Sequence, residues 1–439
     1  MLDIFFLKQI VFRPKAYRIF RTLLYNQILP VDQLWEINWH KRKNLLAHAY
    51  NTVPFYRETY QSLGITPQDI KNPEDWEILP VVKRTDIASA FNKFKSSHYS
   101  KRNSAISSTG GSTGNPIKVL HDRRYPYEAL GWRMMSWWGI SPGADTAFVR
   151  LLVRTKKLDI SINNLIWLPT KRIWLDAASI SPSQMDIFIQ KYNQQKPQLL
   201  QGNTGNIHYL ALYIDKNSIP VHHPKGVSVT SCPISSVERS LIHKVFSAPV
   251  YDQYGCGEVY WIAAQCKEKG GLHINSDTRY IEFMNENGKQ CMPGTPGKII
   301  ITDLENYIFP LIRYENGDIG QAIQDPCACG ITLPLMEPVK GRINDLIRLP
   351  DGVVISGLTK LFDDFPEAVH QFQIIQSRDY SIMINIVPNY EYINYEYICN
   401  IVKQKLDLSV KGKVRTEINL VNEIRSDRGK LRFIISDIQ

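Results

Sequence analysis

Apolar positions recur along this chain with two different periods. Over the first hundred residues they recur at helical spacing, as between Trp39 and Tyr50, and the segment 51–54 interrupts the pattern. Further on, helical stretches alternate with short β-branched runs, such as the run at residues 227–230 before a helix predicted over 235–246. Strands and helices that alternate in this way predict an α/β domain.

The pattern changes again after residue 278. Residues 279–323 predict strands at 280–283 and 298–302, with turns at Asn287-Gly288 and Pro296-Gly297. Past a boundary near Gly341-Arg342, strands predicted at 380–387 and 413–420 indicate a small α+β domain. The predicted fold class is therefore α/β: a large N-terminal α/β domain with a β-rich subdomain over residues 1–341, and a small C-terminal domain over 342–439.

Composition is that of a folded protein with a basic balance. The 439 residues are 44% hydrophobic and 21% charged, which excludes intrinsic disorder. The formal net charge of +10 suits nucleotides, coenzyme A, nucleic acid or an anionic membrane, and does not choose among them. Seven cysteines are an odd number for a secreted disulfide framework, so we expect a cytoplasmic protein.

The N-terminus combines a short apolar run with basic residues. The run at residues 4–7 is too short for a signal-peptide core or a transmembrane segment. Two alternatives stay open for the segment that follows: an ordinary helix packed on the domain, or a basic amphipathic helix in peripheral contact with a membrane. The basic residues are Lys8, Arg13, Lys15, Arg18 and Arg21.

A segment rich in glycine and hydroxyl groups is the strongest local signal. Glycines let backbone N–H groups approach an anion, and hydroxyls add donors to phosphate oxygens. Pro116 stands where a Walker P-loop needs lysine, and a flexible linker would not lead straight into a β-branched strand. The candidate ATP-binding residues here are Ser108, Thr109, Gly110, Gly111, Ser112, Thr113, Gly114 and Lys118.

Five short motifs follow one another in a known order. They are TGGSTGNP at 109–116, YGCGE at 254–258, RYENGD at 313–318, GRIND at 341–345 and GKLR at 429–432. Together they resemble the adenylate-forming superfamily of acyl-CoA ligases, luciferases and adenylation domains. The chain is most similar to the subgroup of phenylacetate–CoA ligase-like, CapK-type and coenzyme F390 synthetase-like proteins.

The resemblance implies roles in nucleotide binding for residues of the central motifs. Tyr254 and Gly255 would contact ATP or AMP, and Asp318 would bind the ribose hydroxyls. Glu258 would be catalytic as a Mg²⁺ ligand, in keeping with the preference of Mg²⁺ for oxygen donors.

The last two motifs imply a mobile C-terminal domain. Arg342 would contact ribose or phosphate, and Lys430 would be the catalytic lysine of adenylation. The small domain would rotate between the two half-reactions. Asn344 stands at the hinge position, where the family usually has Asp or Lys, so the second half-reaction is the less secure expectation.

Cysteine and histidine residues form a second constellation. Cys₃His is a common set for structural Zn²⁺, although Cys-x-Cys is a weak spacing by itself. Relatives in the subgroup have similar residues that bind zinc, and the alternative is buried free cysteines with an unrelated histidine. The candidate zinc ligands are Cys266, His273, Cys327 and Cys329.

The implied function is ATP-dependent activation of a carboxylic acid as an acyl-adenylate, then transfer to coenzyme A. An aryl acid is one option, because Trp132, Trp137, Trp138 and Tyr260 fall near the expected acyl pocket, although tryptophans more often serve core packing. The partners are then a small acid and ATP, with no nucleic acid, and the oligomeric state is not predictable.

Three alternatives remain open. The activated group could pass to another acceptor, such as an amine, a carrier protein or a sugar in surface-polysaccharide biosynthesis. The enzyme could transfer the nucleotidyl group onto a hydroxyl. In a different class, the chain could be a non-catalytic nucleotide- or nucleic-acid-binding protein.

Overall fold

The computed structural model describes residues 4–108, 117–150, 167–177, 180–339, 347–351, 353–355, 358–362, 368–390, 392, 395–424 and 434–438. The chain divides into two compact units, of which the first contains residues 1–142 and 253–339 and the second 143–252 and 340–439. The domain boundary predicted between residues 341 and 342 lies outside the described residues and stays a prediction. No helix in the described ranges is long and apolar enough to cross a membrane.

Helices fill the start of the first unit. Two of them begin at prolines, whose fixed φ and missing N–H suit the first helical turn. The helices are α1 Ile4–Phe12, α2 Pro14–Asn26, α3 Val31–Thr52, α4 Pro54–Ser62, α5 Arg84–Ala90 and α6 Glu128–Trp137, with 3₁₀ turns at Pro67–Asp69, Pro73–Ile78 and Phe91–Phe94. The predicted helical character of the first hundred residues is therefore confirmed.

An antiparallel pair of strands flanks the predicted phosphate loop. Strand β1, Ser104–Ser108, pairs with β2, Lys118–Asp122, so that Ser108 lies opposite Lys118. The Ser-, Thr- and Gly-rich composition of residues 104–116 predicts a loop that leads into a strand at 117–120, and for residues 104–108 this prediction is wrong. The serine-rich segment is extended because every residue of it pairs in register with β2.

The rest of the first unit is antiparallel sheet. A three-stranded sheet has the order β10 Arg279–Met284, β11 Gly297–Asp303, β12 Tyr314–Gly320, which confirms the predicted strands at 280–283 and 298–302. The shorter strands are β8 Ala263–Gln265, β9 Leu272–Ile274, β13 Ala322–Ile323 and β14 Leu335–Met336.

The pairing of β11 with β12 contains a bulge. Lys298 faces Ile319 and Ile300 faces Glu315, so the three residues 316–318 stand opposite the single residue Ile299. Gly317, at the centre of the bulge, has φ +86°, a left-handed conformation that favours glycine.

The second unit begins with a parallel sheet and its helices. The strand order is β4 Arg172–Asp176, β3 Thr146–Arg150, β5 Leu199–Asn203, β6 Gly226–Thr230, β7 Val250–Tyr254, and the last two residues of β7 belong to the first unit. The helices are α7 Pro182–Gln195, α8 Thr204–Lys216 and α9 Ser236–Phe246. The strand predicted at 227–230 and the helix at 235–246 are confirmed.

The last hundred residues of the second unit have their own sheet and apolar core. The sheet order is β19 Thr416–Leu420, β18 Ile382–Pro388, β17 Val369–Gln376, β20 Ile434–Ser436, in which β17 and β18 are antiparallel and the outer pairs are parallel. Helix α10, Tyr395–Ser409, packs on β19, and the short pieces are β15 Ile347–Arg348, β16 Val354–Ile355 and the 3₁₀ helix Leu358–Phe362. This part has the predicted α+β composition.

Candidate functional site

The YGCGE motif forms a tight turn at the end of β7. The backbone N–H of Ile262 donates to the carbonyl of Tyr254 at 2.9 Å, and that of Cys256 donates to the carbonyl of Val259 at 2.9 Å. A Cβ at Gly255 would lie 3.1 Å from the backbone nitrogen of Trp261, a distance tighter than most real contacts. The turn therefore folds back closely enough to require glycine at this position.

Tyr254 and Asn316 hold the carboxylate of Asp318. The Tyr254 hydroxyl donates to Asp318 Oδ2 at 2.8 Å, and Asn316 Nδ2 donates to the same oxygen at 2.7 Å. Desolvation, followed by the nearby negative charge of Asp318, raises the pKa of Tyr254 well above its usual value, so Tyr254 keeps its proton and acts as the donor. This buried carboxylate has a fixed orientation.

Glu258 has its own set of donors four residues along the turn motif. It is 4% exposed, and its Oε1 accepts from Arg84 Nη1 at 3.0 Å and from the Tyr314 hydroxyl at 3.1 Å. Burial and then the charge of Glu258 raise the pKa of Tyr314, which therefore stays protonated. Within the part of the chain that the structure describes, both donors to Glu258 bind Oε1 and none binds Oε2.

Strand β12 connects the two carboxylates. Tyr314, at its start, contacts Glu258, and Asp318, within its bulge, contacts Tyr254. Two motifs that are about sixty residues apart in the sequence therefore meet as one site. Arg313 does not take part, because its guanidinium forms a buried ion pair with Glu282 at 2.9 Å.

His121, at the end of β2, supports the same turn from the side. Its Nε2 lies 2.9 Å from the carbonyl oxygen of Gly257, and its ring stacks on Tyr260 with a centroid distance of 3.9 Å. Burial lowers the pKa of His121, so the neutral ring donates from Nε2 to this carbonyl. The side chain of Ser107 hydrogen-bonds to Tyr260, which connects β1 to the turn.

Several predicted ATP-binding and catalytic residues lie outside the described residues. They are Thr109, Gly110, Gly111, Ser112, Thr113, Gly114, Arg342, Asn344 and Lys430. The cross-strand pair of Ser108 and Lys118 brings the two ends of the predicted phosphate loop together, with Lys118 exposed. Arg84, His121, Tyr314 and Asn316 were not predicted as site residues, although Tyr314 and Asn316 stand inside the RYENGD motif.

The four predicted zinc ligands are brought together. Their ligand atoms lie within 4.8 Å of one another. Cys266 Sγ is 3.5 Å from Cys327 Sγ, and Cys329 Sγ is 3.3 Å from His273 Nε2. Strands β8, β9 and β14 make this meeting possible, because His273 pairs with Leu335 just after the Cys-x-Cys segment.

The tryptophans named for the acyl pocket are packed inside the first unit. Trp132 contacts Phe5 and Phe20, and all three tryptophans named for the pocket are buried. Trp137 Nε1 donates to Gln27 and Trp138 Nε1 to the carbonyl of Gln265. Tyr260, beside Gly257, is the member of that set that lies at the turn.

The chain is similar to known proteins in both sequence and fold. Residues 347–437 match the CapK C-terminal domain family. The phenylacetate–coenzyme A ligase of Thermus thermophilus is 22% identical over 80% of this chain and 80% of its own, and the Protein CapK of Staphylococcus aureus is 24% identical over 93% and 90%. A crystal structure of 2-hydroxyisobutyryl-CoA ligase in the postadenylation state, in complex with R3-HIB-AMP, superposes with a TM-score of 0.79 at 20% identity and covers 94% of this chain and 91% of its own.

These matches confirm both the predicted α/β fold class, with its separate C-terminal domain, and the resemblance that the motifs carry. The chain is similar to phenylacetate–coenzyme A ligases and to Protein CapK, its residues 347–437 match the CapK C-terminal domain family, and its fold is that of 2-hydroxyisobutyryl-CoA ligase.

Proposed function

We propose that the protein activates a carboxylic acid with ATP and transfers the acyl group to coenzyme A. In the first step the carboxylate attacks the α-phosphorus, which gives acyl-AMP and releases pyrophosphate. In the second step the thiol of coenzyme A attacks the acyl carbon, which gives the thioester and releases AMP. The relatives named as phenylacetate–coenzyme A ligases support this activity.

One observation carries the proposal. The carboxylates of Glu258 and Asp318 project from two separate motifs, and β12 holds both through Tyr314 and its bulge. A purely structural turn would not need two buried carboxylates of which one has an oxygen without a donor among the described residues.

Asp318 suits the ribose of ATP. Its carboxylate is oriented by two neutral donors, Tyr254 and Asn316. An ionised acceptor of this kind makes strong hydrogen bonds with the two hydroxyls of a ribose. Candidate donors to the phosphates are the backbone of the loop between β1 and β2, and Lys118 at its base.

Glu258 suits Mg²⁺ bound to the phosphates. The arginine and tyrosine donors both take Oε1, so a Mg²⁺ ion would be held through Oε2. When bound, Mg²⁺ would neutralise charge on the phosphates of ATP. Arg84 fixes the position of the carboxylate, and the turn from Tyr254 to Glu258 joins it to the tyrosine that holds Asp318.

The proposal includes three residues whose roles rest on the sequence motifs alone: Lys430, Arg342 and Asn344. Lys430 would stabilise the negative charge that develops when the acid attacks the α-phosphate. Arg342 would contact the nucleotide, and Asn344 would act as the hinge between the large domain, 1–341, and a mobile small domain, 342–439.

The Cys–His cluster suits a structural Zn²⁺. In a tetrahedral site, zinc–ligand distances of about 2.1–2.3 Å place ligand atoms about 3.5–3.8 Å apart, close to the separations seen here. Nδ1 of His273 lies 3.2 Å from the carbonyl oxygen of Leu333, which leaves Nε2 for the metal. A cytoplasmic setting fits both the ATP and coenzyme A requirement and seven cysteines that form no disulfide.

ATP–pyrophosphate exchange without coenzyme A tests the first step. A panel of aryl, fatty, hydroxy and amino acids is offered to the purified protein, and exchange with one of them is the expected result. Absence of exchange with every acid, in protein that binds ATP, would contradict acid activation and favour nucleotidyl transfer onto a hydroxyl.

A different acceptor is the second candidate. It is kept because the chain covers 90% of Protein CapK and matches the CapK C-terminal domain family, and neither name states an acceptor. Adding coenzyme A to the active exchange mixture separates the two. Release of AMP with thioester formation supports coenzyme A, whereas stable acyl-AMP indicates an amine, carrier-protein or sugar acceptor.

A further inference from the structure

Aromatic contacts and an ion pair fix the first two helices to the rest of the first unit. Phe5 and Phe20 contact Trp132 of α6 edge-on, at 5.5 and 5.8 Å between ring centroids. Phe6 stacks on Phe20 at 5.6 Å, and Arg13 forms an ion pair with Glu128. The buried face of α1 and α2 therefore has its packing partners, and the helices are folded in place.

The opposite face of α1 is apolar and exposed. Ile4, Leu7 and Val11 follow one another at helical positions i, i+3 and i+7, with exposed fractions of 67%, 47% and 69%. Phe12, at the end of the helix, is 73% exposed. Exposed leucine or isoleucine alone is ordinary, but a continuous stripe of large apolar side chains on a folded helix indicates a contact surface.

Basic groups adjoin this stripe. Between residues 4 and 30 the sequence has five Lys or Arg residues and no Asp or Glu. An open groove of about 320 Å³ between the helices is lined by Ile10, Pro14, Tyr17, Arg18 and Arg21. The groove joins an apolar residue of α1 to two exposed arginines of α2.

We propose that these helices dock the protein onto a bilayer that contains anionic phospholipids. The docking surface, called the N-terminal helix surface, consists of Ile4, Leu7, Ile10, Val11, Phe12, Arg18 and Arg21. The apolar side chains enter the boundary between headgroups and acyl chains, and the arginines bind lipid phosphates. At nine and thirteen residues, α1 and α2 lie on the membrane and do not cross it.

Charge favours a membrane over a second copy of the chain. In a symmetric dimer the same surface meets itself, so Arg18 and Arg21 would face like charges with no acidic residue of the segment to oppose them. An anionic bilayer supplies the complementary charge. This inference is independent of the proposed function.

Vesicle co-sedimentation of the full chain tests the proposal. Phosphatidylcholine vesicles with and without phosphatidylserine are compared for the unmodified protein and for Arg18→Glu with Arg21→Glu. We expect binding to anionic vesicles that high salt reverses, and a partition coefficient at least about tenfold lower in the double variant. The control is Lys101→Glu with Lys289→Glu, which makes the same change in net charge at exposed sites elsewhere in the first unit.

A second variant, Ile4→Ser with Val11→Ser, is expected to weaken binding and to leave the remaining binding more salt-sensitive. Circular dichroism checks that each variant is folded, and light scattering gives its mass. No binding of the unmodified protein to anionic vesicles would overturn the proposal, as would an equal loss in the control. A dimer that becomes a monomer in the serine variant, without vesicle binding, would identify a second copy as the occupant.

Discussion

The hydroxyl of Tyr254 lies 2.8 Å from Oδ2 of Asp318. Nδ2 of Asn316 donates to the Tyr254 hydroxyl oxygen at 2.6 Å and to Oδ2 of Asp318 at 2.7 Å. The triangle closes within side chains of the first unit. Because the three side chains orient one another, removal of Tyr254 or Asn316 should loosen the carboxylate of Asp318 while the carboxylate itself stays in place.

Tyr254→Phe removes one donor from Asp318. A hydrogen bond to a charged group contributes about 1.5–3 kcal/mol, so we expect the KM for ATP in the exchange reaction to rise about tenfold or more. Tyr397→Phe, at an exposed tyrosine outside the five motifs, is the control. An unchanged KM in Tyr254→Phe together with a lower melting temperature would mean that the tyrosine has a structural role only.

Glu258→Gln removes the charge that Arg84 and the proposed Mg²⁺ share. We expect exchange to fall at least about 100-fold, which corresponds to about 2.7 kcal/mol of transition-state stabilisation. Raising the Mg²⁺ concentration should restore part of the rate if the lost group is a metal ligand. Glu315→Gln, at a half-buried carboxylate whose Oε1 lies 3.7 Å from Lys298 Nζ on the same sheet, should leave the rate nearly unchanged. A normal rate in Glu258→Gln would exclude the metal role.

Lys430→Ala tests the catalytic lysine that the GKLR motif predicts. The expected loss in the adenylation step is at least about 100-fold, because a positive charge near the α-phosphate stabilises the transition state. Arg425→Ala, in the same basic tail, keeps the total charge change equal and should retain most of the activity. Unchanged pyrophosphate exchange in Lys430→Ala would refute the role.

Metal analysis of the purified protein should give about one zinc per chain. Cys327→Ser should lose the metal and lower the melting temperature, since structural zinc contributes directly to folding free energy. Cys291→Ser, at a buried cysteine outside the cluster, should keep the metal. Protein without zinc, purified in the absence of chelators, would argue for free cysteines.

The buried Glu238 of α9 predicts a pH effect on stability. Burial, opposed by hydrogen bonds from Ser235, raises the pKa of Glu238 to about 7. The folded state therefore binds this proton more tightly than the unfolded state, and stability falls as pH rises from about 4.5 to about 7. His208 lies 4.0 Å away, and burial lowers its pKa to about 4, so its contribution has the opposite sign and is lost as pH falls below about 6.5.

Glu238→Gln isolates the glutamate, because Gln can still accept the hydrogen bonds from Ser235 in the capping box. Its free energy of unfolding relative to the unmodified protein should increase from pH 5 to pH 7.5, by an amount on the order of 3 kcal/mol. Urea denaturation at several pH values measures it. A difference that does not change with pH would mean that Glu238 titrates normally in the folded protein.

Motif order and hydrophobic period predicted much of the fold. The strands at 280–283 and 298–302 were predictable because β-branched runs were bounded by turn residues, and Gly288 indeed has positive φ. The strand at residues 104–108 was not predictable, because a serine-rich strand has no apolar pattern and depends on pairing with its partner β2. Here tertiary pairing overrides local composition.

The site was predictable where a motif contains its own contacts. Glu258 and Asp318 were selected, and they lie in one site. Arg84 and His121 were not predicted. Each reaches the turn from a distant segment, and a single arginine or histidine outside a motif forms no recognisable sequence pattern. Arg313 stands inside a motif yet serves a buried ion pair with Glu282, a distinction that only packing makes.

The bulge in β12 is a feature that activity would favour and that stability alone would not. Residues 316–318 oppose one residue of β11, so this strand is longer than its sheet requires. Shortening it would give a regular ladder of hydrogen bonds and remove both Asn316 and the left-handed Gly317. A chain selected for stability alone would therefore tend to lose the bulge. Variants that keep the bulge would be those in which the proposed nucleotide binding is still under selection.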